Sequence, residues 1–191
     1  MVSVHVNTHL PARSITHQDA ACTVSEEKVR IFFLPFENDA QSTYSAQVLH
    51  PFGLLMHTHR HGIEASSWRV RRRLSPRRRG AFEDEWTLLS HKEPTRSPQS
   101  FYPPNQANTT LVRGDVIAFR CGMMNLGDGV VRQGLTSFDE MCDLYMLYWT
   151  EKAEGGQLES GRNYCWSQGL PSVTWYSLGL KGIPREASAR W

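Results

Sequence analysis

Three histidines alternate in Met56-His57-Thr58-His59-Arg60-His61-Gly62. They continue an apolar run, so a strand is the expected setting, and alternate residues of a strand share a face. Same-face neighbours lie about 6.6–7 Å apart along a strand, and from that spacing two imidazoles can converge on one metal at about 2.0 Å from each nitrogen. Chance clustering of eight histidines in 191 residues is the competing explanation. No HExxH helix and no matching carboxylate–histidine motif supplies a third ligand.

Methionine can supply one. In Asp139-Glu140-Met141-Cys142-Asp143-Leu144-Tyr145-Met146-Leu147-Tyr148-Trp149, alternation puts Met141, Asp143, Tyr145 and Leu147 on one face. Cys142, Leu144, Met146 and Tyr148 take the other. Two imidazoles and a soft thioether suit copper, above all Cu(I), better than zinc or magnesium. The alternative for Met141 is a flexible filler of the core.

The elements that must hold these residues are short and β-like. KVRIFFLPF, QVLHPFGLLMHTH, SSWRVRR, EWTLLSH, TLVRGDVIAFRCGM and EMCDLYMLYWT are rich in β-branched and aromatic residues, with Pro, Gly, Asn and Ser clusters between them. That rhythm predicts an all-β fold, a single antiparallel β-sandwich. Residues 1–24 are polar and are expected as a loose extension. The sandwich is expected over 25–165 and a tail over 166–191.

Composition removes several classes. The chain has 191 residues, is 40% hydrophobic and 21% charged, and carries a net charge of +2. That is an ordinary globular composition with no case for wholesale nucleic-acid binding. No apolar run is long enough for a transmembrane helix, and the first residues do not read as a secretory signal. Four cysteines (Cys22, Cys121, Cys142, Cys165) without a CxxC pair argue against a cysteine zinc site and allow two disulfides. Asn108-Thr109-Thr110 is a glycosylation acceptor triplet, which with the cysteines suits a secreted protein.

Residues 69–79 hold seven of the 21 basic residues, as RVRRRLSPRRR, and Glu83, Asp84 and Glu85 follow. A long hairpin loop inserted near 71–85, with opposite charges screening one another, is the expected form. A polyanion-binding patch or a basic processing site is the alternative. Arg113-Gly114-Asp115 is expected as a turn between strands.

HPFGLLMHTHRHG (50–62), WTLLSHKEPTRSPQSFYPP (86–104), RGDVIAFRCGM (113–123) and TSFDEMCDLYMLYW (136–149) occur in an order and spacing that resemble the carboxy-terminal domain of the type II copper monooxygenases. The likeness covers roughly residues 45–150. It is stronger to the peptidylglycine alpha-hydroxylating branch than to the dopamine beta-monooxygenase branch. The resemblance implies a jelly-roll sandwich, His57, His59 and Met141 as ligands of one copper, and His61 as a non-ligand. It implies a Cys121–Cys142 disulfide, with Cys22 and Cys165 left over because the family's other upstream cysteine aligns near Ser42. Tyr145 is implied as a substrate contact. The implied chemistry is hydroxylation of a C–H bond by O2 with ascorbate as reductant, as in alpha-hydroxylation of glycine-extended peptides during peptide amidation. The implied compartment is the secretory pathway or the extracellular space.

Two departures qualify what is implied. The family enzyme carries a second, amino-terminal copper domain that passes electrons, and too little chain precedes residue 45 for one; that domain is expected as a partner. His5, His9 and His17 are expected at the surface. The family's carboxylate-binding arginine aligns with Leu55 and its neighbouring asparagine with Asp143. Losing such a bidentate contact costs about 1.5–3 kcal/mol. Arg60 or the Arg69–Arg79 segment could substitute a cation, and Asp143 could instead favour an amine. Alternative readings are a non-catalytic copper-binding module or partner-dependent half-enzyme, and a secreted interaction domain whose histidines take zinc adventitiously.

Overall fold

A computed structural model describes residues 2–6, 9–10, 12–24, 29–30, 48–134, 136–150, 164–167, 175–176 and 179–187; for 2–6, 9–10, 17–19, 21–24, 29–30 and 164–167 the description is of the backbone alone. Its strands are β1 (Val2–Val6), β2 (His9–Leu10), β3 (Ser14–Val24), β4 (Val29–Arg30), β5 (Leu49–Thr58), β6 (Gly62–Leu74), β7 (Phe82–Lys92), β8 (Val116–Asn125), β9 (Val131–Arg132), β10 (Cys142–Thr150) and β11 (Tyr164–Ser167). Among the described residues there is no helix. The strands form a four-stranded sheet in the order β11-β1-β10-β5, a five-stranded sheet in the order β4-β3-β8-β6-β7, and a small β2-β9 ladder. Strand pairing is antiparallel throughout except between β1 and β11, which run parallel. The expected all-β, antiparallel class is what forms.

The core lies between the two large sheets. Leu54 and Met56 of β5 and Leu144 and Met146 of β10 face Ala65, Leu89, Ile117, Phe119 and Met123 of the five-stranded sheet, all buried. Each large side chain so buried contributes about 1.5–3 kcal/mol. Cys121 of β8 and Cys142 of β10 are joined by a disulfide that ties one sheet to the other across this core. The side chains of Cys22 and Cys165, and residue Ser42, lie outside the described residues, as do those of His5, His9 and His17 and most of KVRIFFLPF.

Three expectations need correction. Residues 1–24 are not a loose extension: β1 lies between β10 and β11, and β3 pairs with β8 from Ser14 to Thr23. A strand needs only a modest apolar face when its backbone bonds are met by neighbours on both sides, so its low hydrophobicity hid it. The arginine run is not one long loop. Arg69 to Arg73 belong to β6 and Glu83 to Glu85 to β7, with Arg71↔Glu85, Arg72↔Asp84 and Arg73↔Glu83 as cross-strand neighbours; only residues 75–81 form the turn. The segment after residue 166 is more than a tail. Trp175, Leu180 and Ala187 are buried with Trp68, Val70 and Ala118 on the outer face of the five-stranded sheet. Trp175 Nε1–H donates to the carbonyls of Ala20 and Phe119 at 3.1 and 3.3 Å, and the Arg120 guanidinium stacks 4.1 Å above its ring. The Arg113-Gly114-Asp115 turn forms as expected: Gly114 takes φ +87°, and Asp115 N–H closes on Val112 O at 3.0 Å just before β8.

Candidate metal centre

β5 and β10 are neighbours, and their register decides which side chains meet. Asp143 lies opposite His57, Tyr145 opposite Leu55, and Leu147 opposite Gly53. Directly opposed residues share a face, so Leu55, His57, Asp143 and Tyr145 form one patch outside the core. Burial agrees: Leu54, Met56 and Thr58 point inward, whereas Leu55 and His57 are half-buried. Likewise Leu144 and Met146 are fully buried, and Tyr145 and Leu147 are not.

The strand expected through His61 stops earlier. β5 ends at Thr58, and His59 to His61 turn the chain into β6. Gly62 permits this closure, because a Cβ there would stand 2.1 Å from Thr58 Oγ1. The turn is pinned by Glu140, two residues before β10, whose side chain is 1% exposed. Its Oε1 accepts the amide hydrogens of His59 (2.5 Å) and Met141 (3.0 Å). Its Oε2 accepts the amide of His61 at 2.9 Å and meets the His61 ring Nδ1 at 2.7 Å. His61 is therefore turned onto Glu140. One carboxylate joins the backbone of His59 to that of Met141, the residue just before β10.

The two remaining rings are prepared alike. The His57 and His59 ring centroids are 5.1 Å apart with planes at 84°. Gln99 Nε2–H donates to the Thr58 carbonyl at 2.8 Å, and a carbonyl can only accept. Gln99 Oε1 is thus the atom 2.6 Å from His57 Nδ1, which must be its donor. His59 Nδ1 lies 2.5 Å from the Asp139 carbonyl oxygen, again an acceptor only. With Nδ1 as the donor in both contacts, Nε2 is the nitrogen left to ligate a metal, the arrangement that orients metal-binding imidazoles. Among the described residues no group of three or more His, Cys, Asp and Glu is placed to hold a metal.

Beside the histidines the patch is acidic. Asp143 is buried, and Tyr145 O–H donates to its Oδ2 at 3.4 Å. Burial first, and then the Asp143 carboxylate, push the Tyr145 phenol above its ordinary value, so it remains a protonated donor at neutral pH. Arg60 is exposed on the turn. The Arg69–Arg79 segment runs to the far end of β6 and supplies no cation to this patch. Glu140, Gln99 and Gly62 were missed in the sequence. Glu140 sits inside the quoted block, yet nothing in a single Glu distinguishes a buried anchor from a surface charge.

A family model for the copper type II ascorbate-dependent monooxygenase C-terminal domain matches residues 1–178. The chain belongs to this family. The match reaches residue 1, so the strands before residue 25 are part of the domain. Peptidyl-glycine alpha-amidating monooxygenase A of Xenopus laevis is 33% identical over 117 residues, 61% of this chain and 11% of the relative. Peptidylglycine alpha-amidating monooxygenase of Rattus norvegicus is 34% identical over 116 residues, 59% of this chain and 10% of the relative. The matched stretch spans about a tenth of the length of these curated relatives.

Proposed function

We propose that this chain is the domain of a copper monooxygenase that holds the oxygen-handling copper and positions a C–H bond for hydroxylation, with His57 Nε2, His59 Nε2 and the Met141 thioether as its ligands. The observation that carries this reading is the pair of committed Nδ1 atoms on His57 and His59, which leaves two Nε2 lone pairs for a metal. When bound, copper supplies the activation of O2, with ascorbate as the electron source. Gln99 and the Asp139 carbonyl fix ring orientation and tautomer. Glu140 fixes the turn that carries His59 and the backbone of Met141.

Leu55, Asp143 and Tyr145 would line the substrate's approach. The relatives are named for peptidyl-glycine, and a peptide end is the substrate class we infer here. A free carboxylate is poorly served by Leu55 and a buried Asp143. A neutral or amine-bearing end suits this patch, with the Tyr145 phenol as a contact. The working enzyme would add an electron-transferring copper domain, on the same polypeptide or as a partner. A second reading, a copper-binding half without turnover of its own, is favoured by Leu55 lying opposite Tyr145 where a cation would be needed for a carboxylate.

Met141→Leu tests the ligand set. Cu(I) affinity should fall by more than the roughly 10–100-fold typical of an outer partner, zinc affinity should hold, and the copper–sulfur signal in X-ray absorption should vanish. Unchanged Cu(I) affinity would remove Met141 from the site. Product formed only with ascorbate and O2, with and without an added electron-transfer domain, separates the enzyme from the non-catalytic module. Asp143→Asn should tighten binding of a glycine-extended peptide; no gain would count against the charge argument.

A further inference from the structure

The metal site makes no use of the arginine run, and the structure divides that run in two. Arg69, Arg71, Arg72 and Arg73 are met by Glu85, Asp115, Asp84 and again Glu85. Arg77, Arg78 and Arg79 occupy the β6–β7 turn, all exposed, and among the described residues none has a carboxylate in ion-pair range. The turn is built rather than loose. Ser75 Oγ accepts the amides of Arg77 and Arg78 at 3.2 and 3.1 Å and donates to Glu83 at 2.5 Å. Ala81 N–H donates to Arg78 O, and Gly80 takes φ +78°.

At the base of this turn, Leu74 and Phe82 oppose one another across the hairpin, 68% and 56% exposed. They extend the face of Trp68 and Val70 that the C-terminal segment covers. Near them that segment touches Asp84, which accepts the Lys181 amide at 2.8 Å, and the Leu–Phe pair one step beyond Asp84 is left open.

We infer that the β6–β7 hairpin is an arm that docks the domain on an anionic membrane surface. Arg77, Arg78 and Arg79 meet lipid phosphate and carboxylate groups, and Leu74 and Phe82 enter the headgroup–acyl boundary. Cations alone would suit any polyanion. A soluble polyanion offers no hydrocarbon for the Leu–Phe pair, whereas a lipid interface accepts both. The histidine turn lies at the opposite end of β6, twelve residue steps away, up to about 40 Å along the strand. Attachment by the hairpin would leave the metal patch open.

The full chain, with and without copper, is sedimented with phosphatidylcholine vesicles and with vesicles that also contain phosphatidylserine. Binding should require phosphatidylserine and fall with added salt. Each cation near an anionic leaflet multiplies binding about fivefold, so replacing Arg77, Arg78 and Arg79 together by Ala should weaken it roughly a hundredfold. Leu74→Ser with Phe82→Ser should cost about tenfold or more, and Arg73→Ala, already paired, much less than any of these. All are surface changes, and an unchanged melting temperature checks the fold. Equal binding to both vesicles, or binding untouched by either multiple variant, overturns the inference. So does retention on immobilised heparin without binding to phosphatidylserine vesicles, which would assign the tip to a sulfated polysaccharide.

Discussion

The two ends of β6 handle charge in opposite ways. At the histidine end one carboxylate, Glu140, 1% exposed, holds three backbone amides and a ring nitrogen. At the arginine end four guanidiniums share three carboxylates whose exposure runs from buried (Asp115) to open (Glu85). In the sequence the second end is conspicuous and the first is a single letter. Energetically the order reverses, because a charge matters through its burial and the number of donors that depend on it, and not through its prominence in a run.

The sharpest way to break this comparison is at Glu140. Glu140→Ala strips the acceptor from the amides of His59, His61 and Met141 in a site closed to water. A buried donor left unpaired costs about 1–3 kcal/mol, and removing one partner of a buried charged cluster about 3–5 kcal/mol. We expect unfolding in urea to report a loss of about 3–5 kcal/mol in the copper-free protein, together with weaker Cu(I) binding. A loss below about 1 kcal/mol would mean that the histidine turn is held by something else.

Asp115 comes next. It is buried, receives Arg71 through both oxygens at 2.7 and 2.6 Å, and accepts the Val112 amide at 2.8 Å. This hydrogen bond to Asp115 is the main reason the Arg71 guanidinium is raised above its ordinary value. Arg71 is about one-fifth exposed, so its release is cushioned by water. Asp115→Ala should cost about 2–3 kcal/mol by thermal or urea unfolding. Removing Arg71 as well should recover part of that loss, because it deletes the stranded cation. A double variant as unstable as the sum of the singles would show that Asp115 acts through the Val112 turn alone.

Much of the site was legible from alternation. The period of two separated Leu55 and His57 from Met56 and Thr58, and Asp143 and Tyr145 from Leu144 and Met146; the register of β5 with β10 then put both outer sets on one patch. Cys121 and Cys142 are paired as the family likeness implied. Other features depend on partners distant in the chain. His59 and His61 leave the strand because Gly62 closes on Thr58 and Glu140 takes their amides across about 80 residues of chain, a tertiary override that local pattern cannot report. Gln99 orients His57 from a loop inside a quoted block, where neither alternation nor the family likeness gave it a role. β3 looked like a polar extension because backbone pairing with β8 carries no composition signal. Trp175 could be recognised as a large apolar residue, but not as the cover of an outer sheet face.

The smallest expected effect discriminates best between exposure and mere pairing. Arg72 and Arg73 are adjacent, and each has a carboxylate partner on β7. Arg72 meets Asp84, whose side chain is 2% exposed and which also accepts the Lys181 amide of the covering segment. Arg73 meets Glu85 with both side chains open, at 56% and 43%. The Arg73 pair sits in water, loses rotamer freedom when it forms and is screened by salt, so Arg73→Ala should change stability by no more than about 0.5 kcal/mol, and less at high salt. Arg72→Ala leaves Asp84 short of a donor in a closed site, so about 1–2 kcal/mol is expected there. Urea unfolding of both variants at low and high salt gives the comparison directly. If Arg73→Ala proved the more costly, exposure would not be what ranks these pairs, and the larger effects assigned to Asp115 and Glu140 on the same reasoning would lose their basis.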